Sequence, residues 1–285
     1  MQLSLLLALT LANRGGGAGA AVLYNYAWIL FTLPYGVVAI PIATSAFTTL
    51  SVRHSEQDSG GYNAVLAVSS RASMVITAAL ATALAAAAAP VAAVFAQNDP
   101  LPLERALLSF APGIVGFGLV ALLSKALYAS HHGREAAAAQ VVGWITVMGS
   151  STALVMAAPP DWTVAALGAG TSAGLTLAAA LLVAVALRAH GRAAFAGLGR
   201  GAMAVVGGAV AGYLAGAAVI GFFDMPGVWQ AAGASITGGA AAVAAFGVVA
   251  AVVDAGAVRA AFSRRTNNSA AQSAVPSATD EGNRP

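Results

Sequence analysis

The chain is a series of long apolar runs separated by short polar interruptions. Stretches free of Asp, Glu, Lys and Arg cover 15–52, 72–98, 106–124, 136–160, 162–187, 201–223 and 225–253, each at least 19 residues long. A helix needs about 20 residues to cross a hydrocarbon core of ~30 Å. An eighth apolar run, 1–13, is too short to span comfortably. The runs are apolar on every side, whereas the strands of a membrane barrel alternate apolar and polar positions over ~10 residues. In lipid a helix also satisfies its own backbone hydrogen bonds. The pattern predicts an all-α, polytopic membrane helix bundle of about eight transmembrane helices, the first one truncated.

Composition sharpens this reading. Apolar residues make up 59% of the chain and charged residues only 8%, against roughly 25% charged in soluble domains. A soluble chain this poor in charge could not cover its surface. That excludes a soluble enzyme, a nucleic-acid binder and a disordered regulator. The net charge is only +3, and cysteine is absent, so disulfides, thiolate nucleophiles and Cys-based metal sites are excluded. No nucleophile elbow, P-loop or zinc signature occurs. The expectation is therefore a non-enzyme with no catalytic residues, no cofactor, no metal site and no nucleic-acid partner.

Charge placement predicts sidedness. Taking the connections alternately, one side receives Arg14 and Arg105. The other receives Arg53, Arg71, Lys125, Arg134, Arg188, Arg192, Arg200, Arg259, Arg264, Arg265 and Arg284, 11 against 2. The positive-inside rule puts the richer side in the cytoplasm, and an even helix count then places both termini there. The start of the chain lacks the basic residues that open a signal peptide, so 1–13 is expected as a helix missing its first turns. Residues 1–262 are expected to form the transmembrane lobe. Residues 263–285, polar and Ser/Ala-rich, are expected as a disordered cytoplasmic tail.

Few groups inside the runs carry chemistry. Tyr24, Asn25, Tyr26 and Gln140 are neutral polar candidates for lining a cavity. Arg71 and Lys125 are read as lying about one turn from the cytoplasmic helix ends, where anchoring by snorkelling competes with substrate contact. Trp28, Trp144, Trp162 and Trp229 fit an interfacial belt. His131 and His132 read as a solvated loop. Pro34, Pro41 and Pro112 each remove a backbone donor; with Gly36 and Gly113 they are hinge or kink candidates of the sort transporters use. Gly208, Gly212 and Gly216 share one helix face, for helix packing or for a groove.

Two helices carry a family resemblance. Tyr24-Asn25-Tyr26-Ala27-Trp28 through Leu33-Pro34-Tyr35-Gly36-Val37, Ile42-Ala43-Thr44 and Leu50-Ser51 is similar to the "YA…LP.GV…IAT…LS" stretch of the MurJ/MviN family of lipid II flippases. Phe110-Ala111-Pro112-Gly113-Ile114-Val115-Gly116-Phe117 and Ser124-Lys125-Ala126-Leu127-Tyr128-Ala129 resemble its "sxGLxGFxL…R.FYA" helix, at the right separation. Gln2 and Leu11-Ala12 fit the helix before. The Ala/Gly content suggests an actinobacterial source. The resemblance implies the C-terminal half of a fourteen-helix, two-lobed transporter of the MATE-like superfamily. Such a transporter carries the lipid-linked peptidoglycan precursor to the outer leaflet of the bacterial plasma membrane, for cell-wall biosynthesis. It implies a substrate cavity lined by Tyr24, Asn25, Trp28, Arg71, Lys125, Tyr128 and Gln140, and a lipid groove near Gly208, Gly212 and Gly216. Membrane lipid, an N-terminal lobe and cell-wall synthesis proteins are the implied partners.

The chain departs from the family pattern at several places. Trp28-Ile29 stand where many relatives carry an Asp-Arg pair, Thr48-Thr49 replace a Pro-Arg, and His132 and Glu135-Ala136 replace an acidic residue and "TP". A diphosphate needs Lys, Arg or helix amino ends to neutralise it, so this lobe alone is expected to be inactive. An exporter of polysaccharide-lipid or drugs from the same superfamily, and a non-transporting scaffold for cell-wall synthesis, are the alternatives.

Overall fold

The structure is a computed structural model that describes residues 2–223 and 227–253; Asp254 and the expected tail, 263–285, lie outside the described residues. The described residues form α1 (Gln2–Gly15), α2 (Ala20–Pro34), a π-helical turn (Tyr35–Ala39), α3 (Ile40–Ser55), α4 (Ser59–Ala86), α5 (Ala88–Phe95), α6 (Leu101–Ala129), α7 (Gly133–Ala157), α8 (Thr163–His190), α9 (Leu198–Ile220) and α10 (Val228–Val253). Short 3-10 turns at Pro160–Trp162 and Arg192–Phe195 precede α8 and α9.

Among the described residues, seven helical stretches are long and apolar enough to cross a membrane: Ala20–Ser55, Ser59–Ala86, Leu101–Ala129, Gly133–Ala157, Pro160–His190, Arg192–Ile220 and Val228–Val253. At 1.5 Å per residue, the 14 residues of α1 reach only about 21 Å. The all-helical bundle of seven spanning stretches and one short first helix has the architecture that the hydropathy pattern predicts.

Helix boundaries differ from the charge-free runs. The second long run, 72–98, is part of a helix that starts at Ser59 and stops at Ala86, because Pro90 has no N–H for the Ala86 carbonyl and its ring crowds that oxygen. Arg71 therefore lies twelve residues into α4, about 18 Å along its axis, and not one turn from its end. The start of α4 is held by Asp58, which caps it by accepting the Gly61 N–H at 2.8 Å.

Core helices α4 and α6 are the most enclosed, while α2–α3, α7, α9 and α10 keep broad outward faces. α6 packs against α8, α4, α3 and α2, α7 lies on α8, and α9 pairs with α10 over α4. Without a hydrophobic drive between helices in lipid, association relies on close packing, which small residues permit. The α7–α8 seam is built this way: a β-carbon at Gly174 would lie 2.6 Å from the Val147 nitrogen, and one at Gly143 2.5 Å from Ala178 Cβ.

Candidate functional site

The bent span α2–α3 is the most irregular feature of the bundle. Pro34 and Pro41 each lack the donor that an α-helix needs at their positions. Between them the chain opens into a wide turn in which the Ile40 N–H donates to the Tyr35 carbonyl, five residues back. Such π-turns are frequent at functional sites. A β-carbon at Gly36 would meet nothing within 4 Å, so the turn faces open space on that side.

One face of this span is held by aromatic packing. Tyr35 stacks on Phe117 of α6 with ring centroids 3.6 Å apart and planes 4° from parallel, and Phe31 lies 5.0 Å from Phe110 and 5.7 Å from Phe117. The buried stripe Tyr24, Ala27, Phe31, Pro34, Ala39, Ala43, Ala46, Leu50 continues through the π-turn. Its opposite stripe, Asn25, Ile29, Leu33, Val37, Ile40, Thr44 and Thr48, is exposed. Neighbouring Tyr24 and Asn25, about 100° apart around the helix, thus fall one on the buried and one on the exposed side.

The candidate residues divide into separate neighbourhoods. Tyr24 and Trp28 meet Trp144, Ser151, Thr171 and Ser4 around a narrow cleft of about 10 Å³, room for about one water. Trp28 is packed within this cluster, 6.1 Å from Tyr24 and 5.6 Å from Phe31. Lys125, one turn from the end of α6, donates from Nζ to Thr44 Oγ1 at 2.6 Å. This joins α6 to the exposed stripe of α3. Tyr128, one turn on, is 47% exposed and lies beside Gly133, whose β-carbon would sit 2.8 Å from its ring. Gln140 is half-buried on α7. Arg71 is elsewhere: a β-carbon at Gly197 would lie 2.8 Å from its Nη1, so its guanidinium covers the turn leading into α9.

The remaining candidates meet neighbouring helices. At Pro112 the α6 ladder is repaired from α8: the Gly113 N–H donates to Ser172 Oγ at 3.1 Å, and that hydroxyl donates to the Ser109 carbonyl at 2.7 Å. α6 runs on as one helix through the proline. Gly208, Gly212 and Gly216 are buried against Phe246, Ala242 and the Gly238 carbonyl of α10, with Thr82 and Ala86 of α4 behind.

Two features escape a reading of the sequence. Thr44, the Lys125 partner, sits 81 residues away from it and is one of many membrane threonines. His131 and His132 lie in the α6–α7 connection, His131 exposed and His132 half-buried, and distant residues join them: His54, Tyr62, Ser130, His132 and His190 converge where the α3–α4 and α6–α7 connections meet the end of α8. Separations of 58 and 77 residues along the chain give no local motif.

Comparisons with known proteins place this architecture. The sequence profile of the family described as lipid II flippase MurJ matches residues 1–235. The lipid II flippase MurJ of Burkholderia cenocepacia is 31% identical over 134 residues, which cover 45% of this chain and 26% of that protein. The fold is similar to a solved lipid II flippase MurJ in an inward closed conformation, with a TM-score of 0.66 and 13% identity over 88% of this chain and 50% of that one. The chain spans about half the length of the flippase structure it matches.

Proposed function

The chain belongs to the lipid II flippase MurJ family, and from that membership we propose that it is the C-terminal lobe of a transporter that moves the lipid-linked peptidoglycan precursor across the bacterial plasma membrane. Both termini face the cytoplasm in this reading, and the precursor and membrane lipid are its ligands.

The observation that carries the proposal is the exposed stripe of the bent span. Asn25, Thr44 and Thr48 are exposed along it, and Lys125 reaches it through Thr44. Polar side chains inside a membrane are expensive when they face lipid and normally face a bundle interior or a water-filled cavity. This face is therefore the cavity wall, and Lys125 supplies the positive charge that a pyrophosphate group would meet. Trp28 fills its place with aromatic packing, so the charge that relatives carry near that position is absent from this lobe.

A lobe with so little cavity charge does not translocate by itself. The test is rescue of a strain depleted of its own flippase, with lipid II accessibility on the outer leaflet as readout. This chain alone should not restore it; this chain together with the N-terminal lobe of a family member should. Translocation by the isolated chain in liposomes would overturn the half-lobe assignment. Failure of the combined lobes to expose the precursor would overturn the flippase assignment, in favour of export of another lipid-linked substrate or a scaffold role.

A further inference from the structure

The protein contains four histidines, and the fold brings all of them to one corner of the bundle. They come from three connections: His54 from the last turn of α3, His131 and His132 from the α6–α7 corner, and His190 from the last residue of α8. Ring contacts run in an unbroken series. His131 lies 5.3 Å from His54, His54 lies 6.2 Å from Tyr62, Tyr62 stacks on His190 at 4.5 Å, and His190 lies 5.8 Å from His132.

Ser130 ties the inner pair together. Its Oγ is 3.1 Å from His190 Nε2 and 3.3 Å from His132 Nδ1. A neutral imidazole offers one donor and one acceptor nitrogen, so one ring can donate to the hydroxyl while the hydroxyl donates to the other ring, with the Leu127 carbonyl at 3.3 Å as its alternative acceptor. Tyr62 braces the corner from below by donating to the Ala126 carbonyl at 2.7 Å. The Asn63 amide donates to the His190 carbonyl at 3.3 Å, which fastens α4 to the end of α8.

Charging the rings works against this arrangement. An imidazolium donates from both nitrogens, so with both rings charged the Ser130 hydroxyl accepts from each and turns its proton to the Leu127 or Ala126 carbonyl, 3.3 and 3.4 Å away; what opposes the corner is then charge, not a missing acceptor. Like charges this close repel, and α7's amino end opposes a charge on His132, although the carboxyl ends of α3 and α8 favour one on His54 and His190. The neighbouring charges give little relief. Asp58 already accepts from Arg53 at 2.9 Å and from the Gly61 N–H, and Glu56 sits 3.8 Å from the same guanidinium. Arg134 accompanies Glu135 at the start of α7, Arg188 and Arg192 flank His190, and Lys125 lies one turn before the corner.

We propose that the four histidines form a proton-operated latch: neutral, they hold the α3–α4 corner, the α6–α7 corner and the end of α8 together, and on protonation they release them. In the orientation argued above the latch faces the cytoplasm and couples opening of that end to cytoplasmic acidity. The latch does not depend on what the protein transports.

The protein has no cysteine, so a spin-label pair can be placed without removing native residues. Ser59→Cys at the start of α4 and Ala138→Cys on α7 are both at exposed positions, on the two sides of the latch. The labelled full chain in lipid nanodiscs should show a longer, broader distance distribution at about pH 5.5 than at about pH 7.5. Adding His132→Gln and His190→Gln should remove the pH response. Identical distributions at the two pH values in the labelled parent would overturn the latch, and so would an undiminished response after both histidines are replaced. The parent titration decides on its own if the doubly replaced chain does not fold.

Discussion

Gly170 offers a direct measure of how far this bundle relies on close backbone approach. It lies on α8 against α7, where an added β-carbon would fall 2.6 Å from both the nitrogen and the Cα of Ser151 and closer still to its Oγ. Backbone atoms cannot rotate out of the way. Restoring ordinary contact at 3.4–4 Å requires the two helices to part by roughly 0.8 Å, and a gap of 0.5–1 Å forfeits a quarter to a half of each dispersion contact along the seam. The Ser150 hydroxyl also donates across the seam to the Gly170 carbonyl at 3.0 Å, worth about 0.6 kcal/mol between membrane helices. Overpacking costs about 1–3 kcal/mol, while Ala improves helix propensity over Gly by about 1 kcal/mol. Gly170→Ala should therefore destabilise the protein by about 2 kcal/mol. Gly149→Ala is the control, since its β-carbon would meet nothing within 4 Å; it should be neutral or stabilising by up to about 1 kcal/mol. Thermal unfolding of both variants in one detergent, followed by tryptophan fluorescence with Trp144 as the α7 reporter, checks this. Equal stability of the two variants would refute the packing argument.

Further expectations follow from single contacts. Ser172→Ala removes the hydroxyl that bridges Gly113 and Ser109 beside Pro112 and should cost about 1 kcal/mol, with faster backbone amide exchange at Gly113 as the local readout. Arg105→Ala breaks the 2.8 Å ion pair with Asp161, whose side chains are 29% and 57% exposed, and the guanidinium's contact 4.4 Å above the Trp162 ring. Solvent screening holds the loss to about 1 kcal/mol, and added salt should shrink it in the same melting assay. Trp28→Arg would bury a charge among Tyr24, Phe31 and Phe110 and should lower expression and melting temperature sharply, at a cost of about 3 kcal/mol or more. Ile29→Arg, on the exposed stripe, should be nearly silent in both measurements. Lys125→Met keeps the side-chain bulk but removes the cation and its bond to Thr44. It should leave folding intact and reduce lipid II exposure at least tenfold in the two-lobe rescue, whereas a scaffold would tolerate it.

Hydropathy made the helices legible because nearly every crossing segment is apolar on all sides. It was blind to helix that continues outside the apolar run. Ser59 to Arg71 mixes Asn63, Ser69, Ser70 and Arg71 with apolar residues and is still helical, held by the Asp58 cap and by packing of Tyr62 and Leu66. Arg71 was misplaced for that reason. Trp28 shows a second limit: an aromatic residue in a membrane helix suits an interface, and only Phe110 from another helix reveals that it belongs to a packed cluster. The proline at 112 was visible as a missing donor, but its repair by Ser172 depends on a residue 60 positions later. Distant partners of this kind, like Thr44 for Lys125 and the histidines for one another, follow from topology and leave no mark on local sequence.

The structure separates two kinds of outward surface, and that separation bears on function. Along α9 and α10 the exposed positions include Met203, Val206, Val210, Leu214, Ile236, Val243 and Val248, a mostly apolar surface suited to lipid tails, with Arg200, Tyr213, Gln230 and Thr237 its exposed polar positions. Along α2–α3 the exposed stripe mixes Ile29, Leu33 and Val37 with Asn25, Thr44, Ser45, Thr48 and Thr49. The threonines soften the cost of that polarity: Thr44 donates to the Ile40 carbonyl at 2.8 Å and Thr48 to the Ser45 carbonyl at 2.9 Å. Asn25 is exposed on this stripe, and the Lys125 ammonium satisfies one of its three donors on Thr44 Oγ1; in hydrocarbon an uncompensated polar group costs several kcal/mol. Burying that stripe in lipid would penalise the very helix whose ladder is already interrupted at Pro34 and Pro41. On the proposed reading, a water-filled cavity beside it would remove the penalty, give the π-turn room to flex, and place the ammonium where an anionic headgroup could approach.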